Sequence, residues 1–456
     1  MVAVNTSFFS DMLQSIADRS RALIRRERRE PARGRSEGLV ELCEALLSGR
    51  GEASGVALAN EILADYSALT IGPRIAFFET LAQTFGHDSS RIDAAIAAWR
   101  QSPSADTAAE LNRASEPRRL ELFRRLNLAP NGTAALVRMR EQLLDAMDHR
   151  DDLGVIDNDF IHLFSSWFNR GFLVLRRIDW SSPASILEKI IRYEAVHEIR
   201  DWQDLRRRID LPDRRCYAFF HPALVDEPLI FVEVALTRQI PGGIAPILSD
   251  KRELVEPERA TTAVFYSITN CQRGLAGVSF GHFLIKQVVE EVSRALPRIS
   301  TFVTLSPAPN FAEWLKRERA NEASLVLDEE DRGALAAIDR ANWWQQAESA
   351  ASIREPLLRA AAWYYLRARN RHGLPVDAVA RFHLGNGARL ERLDWPADTS
   401  ERALQQSYGL MVNYLYDLDY IEQNHEAYAQ QHAVVAANAV SRLVRSPVRE
   451  IVPVSE

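Results

Sequence analysis

Two side chains in the second half of the chain carry a hydroxyl and an imidazole, groups that commonly donate, accept or relay protons in enzymes. Ser306 lies in FVTLSPAPNF, directly before Pro307, and His383 lies in RFHLGNGA. The pattern predicts that Ser306 ends a strand at the edge of a parallel sheet, where ligands collect. It predicts His383 within a strand, a few residues before a Gly-Asn-Gly turn that could admit substrate. Each residue also has a purely structural explanation when it is considered alone. Ser306 can simply end a strand, and His383 can be a core histidine whose hydrogen bonds are satisfied.

No recognised motif adds a metal or a nucleotide to these side chains. The ten histidines are scattered, with no HExxH pair and no Cys/His cluster at ligand spacing. A P-loop and a dinucleotide-binding GxGxxG motif are also absent from the sequence. The sequence therefore predicts chemistry carried out by ordinary side chains.

The elements that must position Ser306 form one unit that starts at Thr262. TAVFYSIT predicts a strand, FLIKQVVEEVSRALP a helix and STFVTLS a second strand. A strand, helix and strand in this order should form a right-handed parallel crossover. In the turn before the helix, Gly274, Gly277 and Gly281 allow an anion such as a phosphate to approach the backbone. Glycines between a strand and a helix serve plain turn geometry as well.

The rest of the chain predicts a helical first part and a mixed second part. Amphipathic stripes fill about the first 150 residues, and strand patterns dominate after about residue 165. RCYAFFHP, EPLIFVEVAL and VARFHL predict strands, whereas the stretch around 409–416 predicts a helix. Glu233 shares one side of its strand with apolar residues, which either a buried structural partner or a catalytic role would explain.

The charge and composition of the chain limit which binding partners and which cellular compartment the sequence predicts. A formal net charge of −6 and a pI near 6.0 give no reason to bind nucleic acid or a membrane surface. The arginine-rich run 19–35 is interrupted by Glu27 and Glu30, which favours a solvated helix face or a subunit contact over a nucleic-acid contact. Three separated cysteines, no transmembrane-length apolar run, and Asp11 and Asp18 in the N-terminal segment predict a cytoplasmic protein.

Five segments, in order and with compatible spacing, resemble the malonyl-CoA decarboxylase family: HPALVDEPLIFVEVALT, FYSITNCQRGLAGVSFGHFLIKQVV, FVTLSPAPNFAEWL, FHLGNGARLERLDWPADTS and SYGLMVNYLY. The resemblance implies an α/β (α+β) fold. An all-helical oligomerisation domain, residues 1–168, would precede a catalytic domain of the GCN5-related N-acetyltransferase (GNAT) fold, residues 169–456. It further implies a homo-oligomer, a dimer or tetramer formed through the helical domain. This assembly would convert malonyl-CoA to acetyl-CoA and CO₂ without a metal or an organic cofactor.

The resemblance also implies the residues of the site. The catalytic serine of the LSPxPxF motif is Ser306, and the catalytic histidine of the FHLxNGA motif is His383. Ser267 in FYSI and Tyr416 in NYLY match further pocket positions. Contacts to malonyl-CoA would fall in the turn, on Ala276, Gly277, Val278, Ser279, Phe280, Gly281 and His282. Some family members have a glutamate where this chain has Ser279, so a role of that carboxylate is not carried over.

The implied reaction sets chemical requirements. Loss of CO₂ from a malonyl thioester leaves an enolate, so the site needs donors to the thioester oxygen and a proton for the α-carbon. His383, with an ordinary pKa near 6.5, is the expected proton donor. Ser306 would hydrogen-bond the substrate carboxylate or accept a proton. Two alternatives stay open, an acyl-CoA N-acyltransferase on the same fold and a non-enzymatic CoA-thioester sensor.

Overall fold

The computed structural model describes residues 35–48, 51–148, 150–278, 284–340 and 342–444. The chain divides into two units, each of which is discontinuous in sequence. The first comprises Met1–Phe172, His221–Val225 and Gln272–Phe280, and the second comprises Leu173–Phe220, Asp226–Cys271 and Gly281–Glu456. The prediction of a helical region followed by a mixed α/β region is confirmed. The domain bounds 1–168 and 169–456 stay a prediction. The arginine-rich run 19–35 lies outside the described residues, except for Arg35 at its end.

The first unit is built from helices. Their bounds are α1 Arg35–Leu47, α2 Glu52–Ser67, α3 Ile71–Gln83, α4 Ser89–Gln101, α5 Ala105–Ala114, α6 Arg118–Leu126, α7 Gly132–Met147 and α8 Gly154–Trp167. The apolar stripes that the sequence predicts face inward, so that Phe78, Phe123 and Phe160 are fully buried. The rings of Phe123 and Phe160 stack at 4.3 Å, which joins α6 to α8.

The second unit contains an eight-stranded sheet. Its strands are β1 Val174–Ile178, β2 Arg214–Phe220, β3 Pro228–Thr237, β4 Thr262–Asn270, β5 Thr301–Thr304, β6 Ser306–Pro307, β7 Arg389–Asp394 and β8 Met411–Leu415. They lie in the order β1-β2-β3-β4-β5-β8-β6, and β7 pairs with β8 outside this path. In the described part of the chain β4 and β5 run parallel, and the other pairs of strands run antiparallel.

Helices of the second unit connect and cover these strands. Their bounds are α9 Ala184–Tyr193, α10 Trp202–Ile209, α11 Ala245–Leu248, α12 Leu284–Ala295, α13 Phe311–Ala320, α14 Glu329–Leu335, α15 Ala347–Leu366, α16 Ala378–Gly385, α17 Glu401–Ser407, α18 Ile421–Gln431 and α19 Asn438–Ser441. The predicted crossover is present as β4, α12 and β5, because Thr262 pairs with Thr301 in a parallel register. Among the described residues no helix is long and apolar enough to cross a lipid bilayer.

Two sequence-based assignments near the site are wrong. VARFHL belongs to helix α16, because the Asp377 side chain caps its start by accepting the Ala380 N–H at 2.7 Å. The stretch around 409–416 contains strand β8, because it has β5, β6 and β7 to pair with. The Gly-Asn-Gly turn is buried and does not open to substrate: a Cβ on Gly387, whose φ is +81°, would lie 2.1 Å from the Ile421 carbonyl oxygen.

Glu233 is fully buried on β3, and a structural partner accounts for it. The guanidinium of Arg208 on α10 donates to one carboxylate oxygen at 3.3 Å. Burial is the largest cause that raises the pKa of Glu233, to about 8. The same guanidinium donates to the carbonyl oxygens of His197 and Glu198, at 2.7 and 2.8 Å. Of the two explanations for Glu233, these contacts favour the structural one.

Candidate functional site

Three predicted site residues meet in the second unit, each from a different element. Ser306 begins β6, one residue beyond the end of β5. Tyr416 follows β8, and His383 lies in the last turn of α16. Ser306 pairs with Val412 of β8, and the Tyr416 N–H donates to the Phe302 carbonyl oxygen at 2.8 Å. The pairing of β8 with β5 and β6 therefore brings the serine and the tyrosine to the same part of the sheet.

Hydrogen bonds join the three side chains through the imidazole. Ser306 Oγ lies 3.0 Å from His383 Nε2, and the Tyr416 hydroxyl lies 2.8 Å from His383 Nδ1. All three residues are at most 6% exposed. The ring of Tyr414 stacks on the imidazole at 4.5 Å with an interplanar angle of 23°. A buried histidine with a hydroxyl at each ring nitrogen can relay a proton between its two sides.

Burial sets the protonation of this group. Loss of hydration lowers the pKa of His383 from 6.5 to about 3. Burial also raises the pKa of the Tyr416 hydroxyl well above its ordinary value. The expectation of an imidazole with a pKa near 6.5 is therefore wrong, because burial keeps His383 neutral and Tyr416 protonated near neutral pH.

A cavity of about 250 Å³ adjoins Ser306 and His383. Its other lining residues are mostly apolar: Val196, Phe265, Tyr266, Ile268, Asn270, Leu305, Pro307, Ala378, Val379 and Phe382. Such a cavity can hold a small acyl group away from water and strengthen the electrostatic interactions inside it. Within the described ranges, no group of three His, Cys, Asp or Glu side chains lies close enough to hold a metal ion.

Ser267 donates its hydroxyl hydrogen to the Glu194 carboxylate. It is buried on β4, and its hydroxyl lies 2.7 and 2.9 Å from the two carboxylate oxygens of Glu194. The same carboxylate accepts the backbone N–H groups of Val196 and His197, each at 2.7 Å. Ser267 thus helps to fix the segment that carries Val196 to the cavity wall. A direct contact of Ser267 with substrate stays a prediction.

The described part of the glycine-bearing turn, up to Val278, belongs to the first unit, where it packs on α7. A short 3₁₀ turn covers Arg273–Leu275, and a Cβ on Gly274 would lie 2.0 Å from the Val137 carbonyl oxygen. Gly274 is therefore required for a close approach to α7, while Gly277 has a φ of +76° that favours glycine. Ala276, Gly277 and Val278 are described, and their contact with substrate stays a prediction. The predicted contacts Ser279, Phe280, Gly281 and His282 lie outside the described residues.

The site contains two side chains that the sequence analysis missed. Thr304 Oγ1 accepts a hydrogen bond from the Ser306 hydroxyl at 2.9 Å, and Tyr414 supplies the ring under His383. Both could have been found from the strand period of two. Thr304 and Ser306 share one side of their segment, as do Tyr414 and Tyr416.

Fold and site together define an α/β protein in which a buried serine, histidine and tyrosine can move a proton beside an apolar cavity. The model of the malonyl-CoA decarboxylase C-terminal domain matches residues 171–453, and that of the malonyl-CoA decarboxylase N-terminal domain matches residues 85–168. The chain belongs to the malonyl-CoA decarboxylase family.

Relatives of known structure resemble the chain along most of its length. It is 58% identical to malonyl-CoA decarboxylase from Rhodopseudomonas palustris, with a TM-score of 0.87 over 89% of this chain and 99% of that one. For malonyl-CoA decarboxylase from Agrobacterium vitis, the identity is 54% and the TM-score 0.86, over 90% of this chain and 100% of that one. A curated mitochondrial malonyl-CoA decarboxylase of Anser anser anser is 35% identical over 423 residues, 84% of this chain and 82% of the relative. The decarboxylase hypothesis is thus favoured over the acyltransferase and the sensor.

Proposed function

We propose that this chain decarboxylates malonyl-CoA to acetyl-CoA with Ser306, His383 and Tyr416 as its reacting group. The observation that carries the proposal is the hydrogen-bonded chain from Tyr416 through His383 to Ser306, with distances of 2.8 and 3.0 Å, beside a largely apolar cavity. The thioester carbonyl is itself the electron sink for this reaction. The proposed chemistry therefore runs on side chains without an organic cofactor.

The proposed reaction needs one proton for each turnover. The bond between the α-carbon and the carboxylate breaks, CO₂ leaves, and the electron pair stays on the thioester as an enolate. A proton from His383 then forms the new C–H bond of acetyl-CoA, and solvent restores that proton. The substrate carboxylate supports this role, because a negative charge next to the imidazole raises its pKa.

Ser306 is proposed to hold the departing carboxylate. Its hydroxyl lies on the cavity wall, and when substrate is bound it can turn its one proton from Thr304 Oγ1 to a carboxylate oxygen. The apolar side chains that surround it offer few compensating donors. A carboxylate held there loses hydration that neutral CO₂ does not need, which favours decarboxylation.

The glycine-bearing turn is also proposed to bind substrate. Its residues Ala276, Gly277, Val278, Ser279, Phe280, Gly281 and His282 would bind the coenzyme A pyrophosphate, together with the start of the helix that follows. Backbone N–H groups at such a turn favour anions without a cationic side chain. Ser267 remains a proposed pocket residue, acting on substrate through the segment that Glu194 fixes or directly.

Two variants test the assignment. His383→Gln and Ser306→Ala should each lower kcat by about 10²-fold or more while CoA-thioester affinity changes little. CO₂ and acetyl-CoA formation from malonyl-CoA measures the first quantity, and calorimetric titration of the variants with malonyl-CoA the second. His372→Gln, at an exposed turn, removes a histidine elsewhere and serves as the matched control. If both site variants turn over malonyl-CoA at the wild-type rate, the roles proposed for Ser306 and His383 are overturned. If the wild-type protein binds malonyl-CoA but does not decarboxylate it, the acyltransferase and sensor hypotheses are reopened.

The assembly and location complete the proposal. We expect a dimer or tetramer formed through the helical domain, which light scattering of the purified protein measures. We expect a cytoplasmic location, although the curated vertebrate relatives are named as mitochondrial proteins. Cell fractionation tests this expectation independently of the activity.

A further inference from the structure

Thr304 touches the reacting group but has no role in the chemistry proposed above. It is fully buried at the end of β5, two residues before Ser306. Its Oγ1 accepts the Ser306 hydroxyl at 2.9 Å and the Tyr414 backbone N–H at 3.1 Å. Both lone pairs of the threonine oxygen are therefore used.

The direction of the Ser306–Thr304 hydrogen bond determines the directions of the hydrogen bonds that follow it, at both ring nitrogens of His383. A serine hydroxyl has one proton, and the heavy-atom geometry of the 2.9 Å contact makes Ser306 the donor to Thr304 Oγ1, which leaves no proton for His383. Toward the imidazole 3.0 Å away, Ser306 Oγ can only accept, so His383 Nε2 must carry a hydrogen. In a neutral ring Nδ1 then has none, and it accepts from the Tyr416 hydroxyl at 2.8 Å.

We propose that Thr304 is a positioning residue that selects the Nε2–H tautomer of His383. It does so by taking the Ser306 proton, which turns the transferable imidazole proton toward Ser306 and the cavity. The catalytic consequence rests on the proposed function, whereas the tautomer itself does not. Thr304 acts through Ser306 and His383 and makes no contact with substrate in this scheme.

The surroundings keep Thr304 in place for this task. Asn413 Nδ2 donates to the Thr304 carbonyl oxygen at 2.7 Å, which adds a side-chain bond across the sheet. Tyr414 contacts both Thr304 and His383, because its backbone N–H donates to Thr304 Oγ1 and its ring stacks on the imidazole. The acceptor and the imidazole are thus held by one residue of β8.

The direct test is ¹⁵N NMR of the full-length protein labelled at histidine, since protonated and unprotonated ring nitrogens have distinct shifts. Loss of a signal in His383→Gln identifies the His383 resonances. The wild type and Thr304→Ser should show a proton on Nε2. Thr304→Val keeps the side-chain shape but removes the acceptor, so the Ser306 proton should turn to Nε2 and move the ring proton to Nδ1.

Activity gives a second readout that a merely structural role would not produce. Thr304→Val should lower kcat about tenfold, the effect of one hydrogen bond, with KM unchanged, and Thr304→Ser should restore kcat. If Thr304→Val does not fold, the wild-type spectrum still decides, because a proton on Nδ1 there overturns the proposal. An unchanged tautomer in folded Thr304→Val also overturns it.

The outcomes separate this inference from the proposed function. An active wild type with Nδ1 protonated would refute the role of Thr304 and leave the decarboxylase in place. A wild type that is inactive, but carries a proton on Nε2 that Thr304→Val lacks, would refute the proposed function. The tautomer assignment would then stay in place.

Discussion

His383 makes the stability of the protein depend on pH. Burial lowers its pKa to about 3, whereas in the unfolded chain an imidazole titrates near 6.5. The unfolded state therefore binds the proton first, and the free energy of unfolding falls as pH drops through this window. From pH 7 to pH 5 we expect His383 to account for a loss of about 2 kcal/mol. Urea denaturation of the wild type and His383→Gln at the two pH values measures this difference.

His372→Gln is the control for this pH experiment. It removes an imidazole from an exposed turn and leaves His383 in place, so it should lose as much stability on acidification as the wild type. His383→Gln should lose less. Equal losses in the wild type and in His383→Gln would mean that burial does not keep this ring neutral.

At the residue scale, the sequence identified the main side chains of the site but not their protonation states. Ser306, His383 and Tyr416 were expected through the family resemblance, and the structure brings them together. Thr304 was missed because a threonine in a strand pattern has no distinctive chemistry until its neighbours are known. The pKa of His383 depends on how completely other elements cover it, and a local pattern cannot reveal that.

At the element scale, helix α16 decides where His383 lies. The sequence predicts a strand there because a short apolar run fits both periods. The crossover from β4 to β5 was predictable, because its alternating strands, glycine turn and amphipathic helix all agree. Strand β8 was missed because its central position in the sheet depends on three partners from distant parts of the chain.

The cap of α16 gives an element-scale prediction. Asp377 is buried, accepts the Ala380 N–H at 2.7 Å and lies 3.4 Å from the Tyr364 hydroxyl. Asp377→Ala should cost about 1 kcal/mol of stability. It should also lower kcat between about tenfold and 100-fold, because a helix that shifts displaces His383 from Ser306. Thermal unfolding and steady-state kinetics measure the two effects.

Ser400→Ala is the matched control for this cap. Ser400 caps α17 by accepting the Ala403 N–H at 3.3 Å, and that helix contains no predicted site residue. Its loss should lower stability without lowering kcat. A kcat for Asp377→Ala equal to that of Ser400→Ala would show that the α16 cap does not hold the imidazole.

At the scale of the whole molecule, the two units interleave along the chain. The segment Gln272–Phe280 comes between β4 and α12 of the sheet, yet it belongs to the helical unit. Arg140 on α7 holds this segment by donating to the Gly274 carbonyl oxygen at 2.9 Å and to Asp157 at 2.8 Å. No local pattern predicts this arrangement, because the partner of the turn lies more than a hundred residues earlier.

If the turn binds the coenzyme A pyrophosphate, Arg140 should affect substrate binding from within the helical unit. Arg140→Lys keeps the charge, but one ammonium cannot reproduce the forked contacts to Gly274 and Asp157. We expect KM for malonyl-CoA to rise about fivefold, as for one lost hydrogen bond, with kcat unchanged. Arg150→Lys alters a more exposed pair with Glu79 in the same unit and should leave KM unchanged. An unchanged KM in folded Arg140→Lys would separate the turn from substrate binding, and a fall in kcat alone would place the effect of Arg140 on the chemistry.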